Sequence, residues 1–317
     1  MRLPNRLAAM SFLCVLAALF LEQMRPLAHP SVFELSFTRY AGRLARDLNA
    51  GQSLHGTIGW LVAVLPWVAL ALVVHYLLSG LGPLFVWGWA AAVLYTCIDF
   101  KPMLRDYSAI IEALRAGELE RARDLVGRWR GESAQQYSES DIARVAIESV
   151  LLSAHRNLFA VVAWFVVLPG PAGAVLYKLS AMLAEEWGRR PEEDFHAFGQ
   201  FSSRVLRVLD WVPVRLTAIG FAIAGDLEDA LQCWRAQPAA WSDPELGVVL
   251  ASGAGAMGVK LGGPLPRVGG ADYRAQLGIG DEPDTNYMQS AVGLIWRTLV
   301  IGMIVLLLVT LARWVGA

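Results

Sequence analysis

Four ionisable residues stand close together in or beside one apolar stretch: Arg204, Arg207, Asp210 and Arg215, around Val205–Ala224. Charge at membrane depth is costly, so such groups face a cavity or pair with one another. Two arginines lining a cavity, Arg204 and Arg215, would supply permanently charged donors for an anion, with Asp210 between them. The competing reading is an ion-pair cluster at the membrane interface that fixes helix orientation. A second pattern is Gly253-Ala254-Gly255-Ala256-Met257-Gly258, which matches the dinucleotide loop G-x-G-x-x-G. That loop needs a strand before it and a helix opening at it. Here Ser242-Asp243-Pro244-Glu245 precedes it, a capping box with proline in the first turn. A helix from about Asp243 to Met257 is therefore predicted, its small residues forming a face for close helix packing. The five histidines (His29, His55, His75, His155, His196) and three cysteines (Cys14, Cys97, Cys233) have no metal-ligand or disulfide spacing, and no metal is expected.

The elements that must position these groups are membrane helices. Of 317 residues, 56% are hydrophobic and only 17% charged, where soluble domains carry about 25% charged residues. Mean hydropathy is +0.44. Net charge is −1, so no nucleic-acid partner is implied. The predicted class is all-α: a polytopic helical bundle of five or six spans in one domain, with the lipid bilayer as its partner. The spans fall at 8–21, 59–78, 81–98, 158–176, 205–224 and 291–312, each near the ~20 apolar residues a crossing needs or weaker. Ser79-Gly80 leaves room only for a tight turn between the second and third. Pro169-Gly170-Pro171 predicts a kink or break in the fourth. The first, led by Arg2 and Arg6, reads as a retained anchor, because no A-x-A cleavage site follows it. Loops 22–58, 99–157 and 225–290 then share a side. They hold 4, 9 and 4 lysines and arginines, against 7 opposite, which places them in the cytoplasm of an inner-membrane protein.

Outside the spans, Phe33, Phe37, Tyr40, Leu44 and Leu48 recur at helical spacing between Arg39, Arg43 and Arg46. This is an amphipathic helix, lying on the membrane surface or packed on the bundle. Residues 102–130 read as a helix pair broken near Ala116-Gly117. Ser138 and Asp141 form a cap for a helix that runs through Glu148 toward the fourth span.

The order of the pieces resembles a known family. His29-Pro30, GELERAR (117–123), ARVAIES (143–149), the Pro/Gly-broken span, Phe198-Gly199, Arg204, WVPVRLTA (211–218), GAMGVKLGGP (255–264) and LGIG (277–280) follow one another as in the CobD/CbiB membrane proteins. The resemblance implies adenosylcobinamide-phosphate synthase activity, which joins aminopropanol or its phosphate to a propionate of adenosylcobyric acid using ATP and Mg²⁺. It implies a corrinoid ligand. It also makes Glu148, Ser149, Arg204, Asp210, Arg215, Lys260, Gly262 and Gly263 candidate substrate-binding residues. This chain departs from the family's acidic runs. Leu152, Ser153, Arg156 and Asn157 stand where that run continues after Glu148-Ser149. Ala181-Met182-Leu183-Ala184 replaces an Asn-Thr-Leu-Asp, and Leu206-Arg207 replaces an acidic pair. Mg²⁺ is held by carboxylates and substrate oxygens, so these losses weaken any expected Mg·ATP site. The stretch around LDWVPVRL also resembles the AmpE-like proteins, which implies an alternative as a non-catalytic signalling or scaffold protein.

Overall fold

Helix α3 (Ser53–Ser79) is apolar on every side, and its Leu61, Val62, Leu65, Leu70, Val73 and Leu77 lie exposed. A helix apolar all round is a membrane span, because water would not tolerate its outer surface. In the computed structural model, which describes residues 3–27, 30–49, 53–188, 193–267 and 270–315, four stretches are long and apolar enough to cross a membrane. They are Leu54–Ser79, Pro83–Arg115, Glu139–Val167 and Thr285–Ala312. The chain is helical nearly throughout and divides into two units, one formed by residues 1–99, 156–211 and 306–317, the other by 100–155 and 212–305.

The first unit holds α1 (Leu3–Met24), α2 (Val32–Leu48), α3, α4 (Pro83–Cys97), α8 (Ala160–Val167), α9 (Ala172–Gly188) and the first part of α10 (Glu193–Ala224). The α3–α4 hairpin is tied by Trp89, whose Nε1 donates to the Ala71 carbonyl at 3.3 Å. Helix α2 opens on a capping box: the Glu34 amide donates to Ser31 Oγ and the Ser31 amide to the Glu34 carboxylate. Its Phe37, Ala41 and Ala45 pack into a core with Trp60, Ala63, Val64, Leu183, Trp187 and Phe198. Of the two placements open for this helix, packing on the bundle is the one observed. Buried beside it, Lys178 of α9 binds both Glu34 (2.9 Å) and Asp99, so that α2, α9 and the end of α4 are joined through one cation. Breaking such a buried set strands a charge.

The second unit holds α5 (Phe100–Arg115), α6 (Leu119–Arg130), α7 (Glu139–Ala154), the end of α10, α11 (Leu227–Ala236), α12 (Pro244–Met257) and most of α13 (Thr285–Val315). The α5–α6 break falls at Ala116-Gly117 as expected, and Gly117 there adopts the left-handed region. Ser138 and Asp141 cap α7 reciprocally.

Several sequence expectations are corrected. The fourth span does not run from 158 to 176. Its apolar helix begins at Glu139, passes through a π-helical turn at His155–Phe159 and ends at Val167. Pro169 disfavours helical geometry at Leu168, which is extended (ψ 153°). Residues 172–176 therefore start α9. Helix α12 is capped by Asp243, whose carboxylate accepts the Glu245 and Leu246 amides, and not by Ser242. Proline suits the first helical position, so Pro244 sets the cap one residue before itself. The chain is all-α as expected, and its described residues include four short strands that the sequence did not indicate. Strand β1 (Leu261–Gly262) pairs antiparallel with β4 (Gln276–Leu277), and β2 (Leu265–Arg267) with β3 (Gly270–Asp272). His29, Arg2, Arg189 and Arg190 lie outside the described residues.

Candidate functional site

Helix α7 carries Arg144 and Glu148 one turn apart, hence on one face. Glu148 is buried. It accepts the Gly262 amide at 2.8 Å and the Arg274 guanidinium at 2.5 and 3.2 Å. Arg274 also donates through Nε to the Gly263 carbonyl (3.3 Å) and lies over the Trp241 ring. A carboxylate, two backbone groups and a fork of N–H donors thus clamp the turn at Gly262-Gly263. Both glycines have positive φ, +70° and +76°, and a Cβ on Gly262 would sit 2.0 Å from the Ala275 carbonyl oxygen. No L side chain fits there.

The clamped turn forms one wall of a cavity of about 590 Å³, lined also by Asp141, Arg144, Lys260, Pro264, Gln276 and Glu282. Arg144 donates to the Gly262 and Pro264 carbonyls (3.2 and 3.4 Å) and to Glu282 (3.2 Å), with Asp141 3.7 Å away. Both acids in the wall are thereby balanced by one arginine. Lys260 forms no ion pair with any described residue, although its amide donates to Asp281. The cavity therefore offers one uncommitted cation, on a wall whose other charges are paired. A smaller cavity of about 360 Å³ lies beyond Leu265 and Pro266 and includes Tyr137, whose phenol is raised above its ordinary pKa by burial.

The candidates read from sequence separate into groups. Glu148, Gly262 and Gly263 meet in one hydrogen-bonded clamp, and Lys260 lines the cavity beside it. Ser149 donates its hydroxyl to the Val145 carbonyl of its own helix. Arg215 pairs with Glu245 at 2.9 Å. Arg204 is exposed and bonds Gln200, and Asp210 is buried in the first unit, where it accepts the Tyr177 hydroxyl at 2.6 Å. Arg204 thus bonds a residue of its own helix and forms no ion pair with a described residue. His75 is buried in α3 against Gly170, and its Nδ1 has no partner. Two clamp residues escaped sequence reasoning. Arg144 had a signal, being four residues before Glu148 within ARVAIES. Arg274 had none, since it returns to Gly262 across the short β2–β3 pair, which shows no periodicity. The glycine pattern at 253–258 is helical, as expected: Gly253 packs against Leu151 and Phe221, and Gly255 against the backbone of Asp229 and Ala230.

The family model described as CobD/Cbib protein matches residues 11–295. The chain belongs to the CobD/CbiB family. It is 36% identical over 303 residues to the cobalamin biosynthesis protein CobD of Stutzerimonas stutzeri, covering 93% of this chain and 97% of that protein. It is 36% identical over 206 residues to CobD of Chromobacterium violaceum, 65% of each chain. It is 27% identical over 245 residues to the cobalamin biosynthesis protein CbiB of Salmonella choleraesuis, covering 74% and 76%. No solved structure matches. Membership assigns this chain to cobalamin biosynthesis and, with its apolar helices, to a multi-pass membrane location. The AmpE-like alternative gains no support from these relatives.

The CobD/CbiB family implies Mg²⁺ and ATP. Among the described residues no three carboxylate, histidine or cysteine side chains converge as a metal site. Asp141 and Glu282, the acids of the cavity, are both engaged by Arg144. The acids of this cavity do not fit a Mg²⁺ held by the protein there. The glycine run that could have cradled a nucleotide is the interior of α12.

Proposed function

We propose that this chain works in the inner membrane at the aminopropanol-attachment step of cobalamin biosynthesis, where a propionate carboxylate of adenosylcobyric acid condenses with the amine of aminopropanol or its phosphate and ATP hydrolysis takes up the oxygen lost. The observation that carries this reading is the clamped Gly262-Gly263 turn. Glu148 and Arg274 hold it, and it walls a cavity with Lys260 uncommitted. Glu148 on one side, and Lys260, Gly262 and Gly263 on the other, fall in separate pieces of the motif order that resembles the family, while Arg274 lies between two such pieces. Lys260 is the anchor for an anionic group of the substrate, and Arg144 sets the carbonyls of the turn that faces it. Glu148, Gly262 and Gly263 act by shaping that wall. Ser149, Arg204, Asp210 and Arg215 are supporting candidates on other contacts. The ligand is a corrinoid or its aminopropanol partner, and nucleic acid has no place in the reading. Five or six crossings in the bilayer, with loops 22–58, 99–157 and 225–290 cytoplasmic, complete it.

Expression of the chain in a strain lacking its own CobD/CbiB protein tests this. The wild-type chain should restore cobalamin-dependent growth, and Lys260→Ala should fail while accumulating in the membrane to a normal level. Failure of the wild-type chain, or full rescue by Lys260→Ala, would overturn the assignment. Titration of purified protein with a corrinoid gives the matching binding measurement.

A further inference from the structure

Helix α2 presents three arginines, Arg39, Arg43 and Arg46, at i, i+4 and i+7, all exposed. None pairs with an acid among the described residues. Asp47 is the one acid on the exposed part of this helix, since Glu34 is buried on Lys178. The same surface carries Val32, Phe33, Leu35 and Tyr40, also exposed. Apolar residues dominate the first turns of the helix and arginines the last, with Arg39 and Tyr40 adjoining between them. Phe33 stacks edge-on against Trp67, midway along the apolar stretch of α3, and Tyr40 donates to the Val62 carbonyl nearer its start. Helix α2 therefore runs antiparallel to α3, from mid-depth toward the beginning of the span. At about 1.5 Å per residue, Arg43 and Arg46 lie several ångströms further out than Tyr40.

We propose that the exposed face of α2 is a docking surface for anionic phospholipid. Val32, Phe33, Leu35 and Tyr40 contact acyl chains, and the guanidinium groups of Arg39, Arg43 and Arg46 bind headgroup phosphates. Arginine binds phosphate through paired N–H donors, and its stem can snorkel to the interface from below. The partner follows from charge complementarity: uncompensated cations stand where an apolar face meets water, and an acidic lipid headgroup supplies both the charge and the chains. The inference rests on the multi-pass membrane location and is independent of the cavity in the second unit.

The test is thermal unfolding of the purified full chain in detergent, with phosphatidylglycerol or phosphatidylcholine added. Phosphatidylglycerol should raise the unfolding temperature and phosphatidylcholine should not. The apparent lipid affinity should fall roughly fivefold for each arginine replaced by glutamine, and 0.5 M salt should weaken it. The triple variant Arg39→Lys, Arg43→Lys, Arg46→Lys should keep most of the preference. Arg235→Gln, on α11 of the second unit, should keep all of it. If the triple glutamine variant does not fold, Arg43→Gln alone gives the same reading at smaller size. Equal stabilisation by both lipids, an unchanged response in the glutamine variants, or equal stabilisation by millimolar inorganic phosphate would overturn the proposal. Failure of complementation in the corrin experiment would leave this result untouched.

Discussion

A buried carboxylate is stable only while its donors stay in place. Glu148 spends one oxygen on the Gly262 amide and both on Arg274. Removing it as Glu148→Ala leaves a largely buried guanidinium and a backbone N–H without their acceptor. The expected cost is about 3 kcal/mol or more, read as a lower unfolding temperature in detergent. Lys260→Ala removes no pairing, so stability should stay within about 0.5 kcal/mol while rescue of corrin synthesis is lost. Opposite outcomes, with a stable Glu148→Ala or an unfolded Lys260→Ala, would reverse the roles given to the two side chains. At this scale the sequence is informative where motif pieces are contiguous: Glu148, Lys260, Gly262 and Gly263 each lie in a piece that carries the family resemblance. It was silent on Arg274, because a side chain that returns across a pair of short strands leaves no spacing to read. The charged residues around α10 read as a cluster because they are close in sequence. On a helix, positions 204, 210 and 215 point to different neighbours, and each found its own.

At the scale of elements, close approach between α11 and α12 rests on the absence of a side chain. A Cβ at Gly255 would stand 2.6 Å from the Asp229 carbonyl oxygen and 2.8 Å from Ala230 Cα. Neither is the flexible end of a side chain, so backbone would have to shift. Gly255→Leu should therefore destabilise by roughly 1–3 kcal/mol or prevent folding. Intact stability in detergent would refute the close-packing role. Local chemistry made these helices legible. Ser138 and Asp141, Pro244, Gly117 and the Pro169-Gly170-Pro171 break each act through contacts within a few residues, which sequence displays directly. The strands between Leu261 and Leu277 were not legible, since two or three residues are too few for a period-2 pattern. Their pairing is set by the turn at Gly262-Gly263 and by Glu148 from a distant helix. The span limits of α7–α8 were misplaced for a related reason: Ile142, Val145, Ala146 and Val150 are apolar and buried, but polar residues between them lowered the local hydropathy.

At the scale of the whole molecule, the apolar surface decides the environment and the charges decide the orientation. Helix α13 exposes Val300, Ile304, Val305, Leu308, Val309 and Leu311, a surface that lipid covers. Helix α10 carries an outward stripe of Val208, Trp211, Val212, Leu216, Ile219 and Ile223, though it is not among the four long apolar stretches. Arg297 sits early in α13 and donates to the Gly293 carbonyl, leaving the following apolar turns free of charge up to Arg313. If α13 crosses the bilayer once, the chain end and the segment before Thr285 face opposite sides. In the proposed orientation, which the lysine and arginine bias of loops 22–58, 99–157 and 225–290 supports, the latter faces the cytoplasm. A reporter near Asp272, where the cavity-forming strands lie, should therefore read cytoplasmic, and one fused at the C-terminus should read periplasmic. The same experiment weighs the lipid surface on α2, because the arginines of that helix belong to the same set of loops and would meet the anionic cytoplasmic leaflet. Both reporters on one side would remove the α13 crossing. Reversed signals would keep it but turn the molecule over, placing the cavity in the periplasm, away from cytoplasmic ATP.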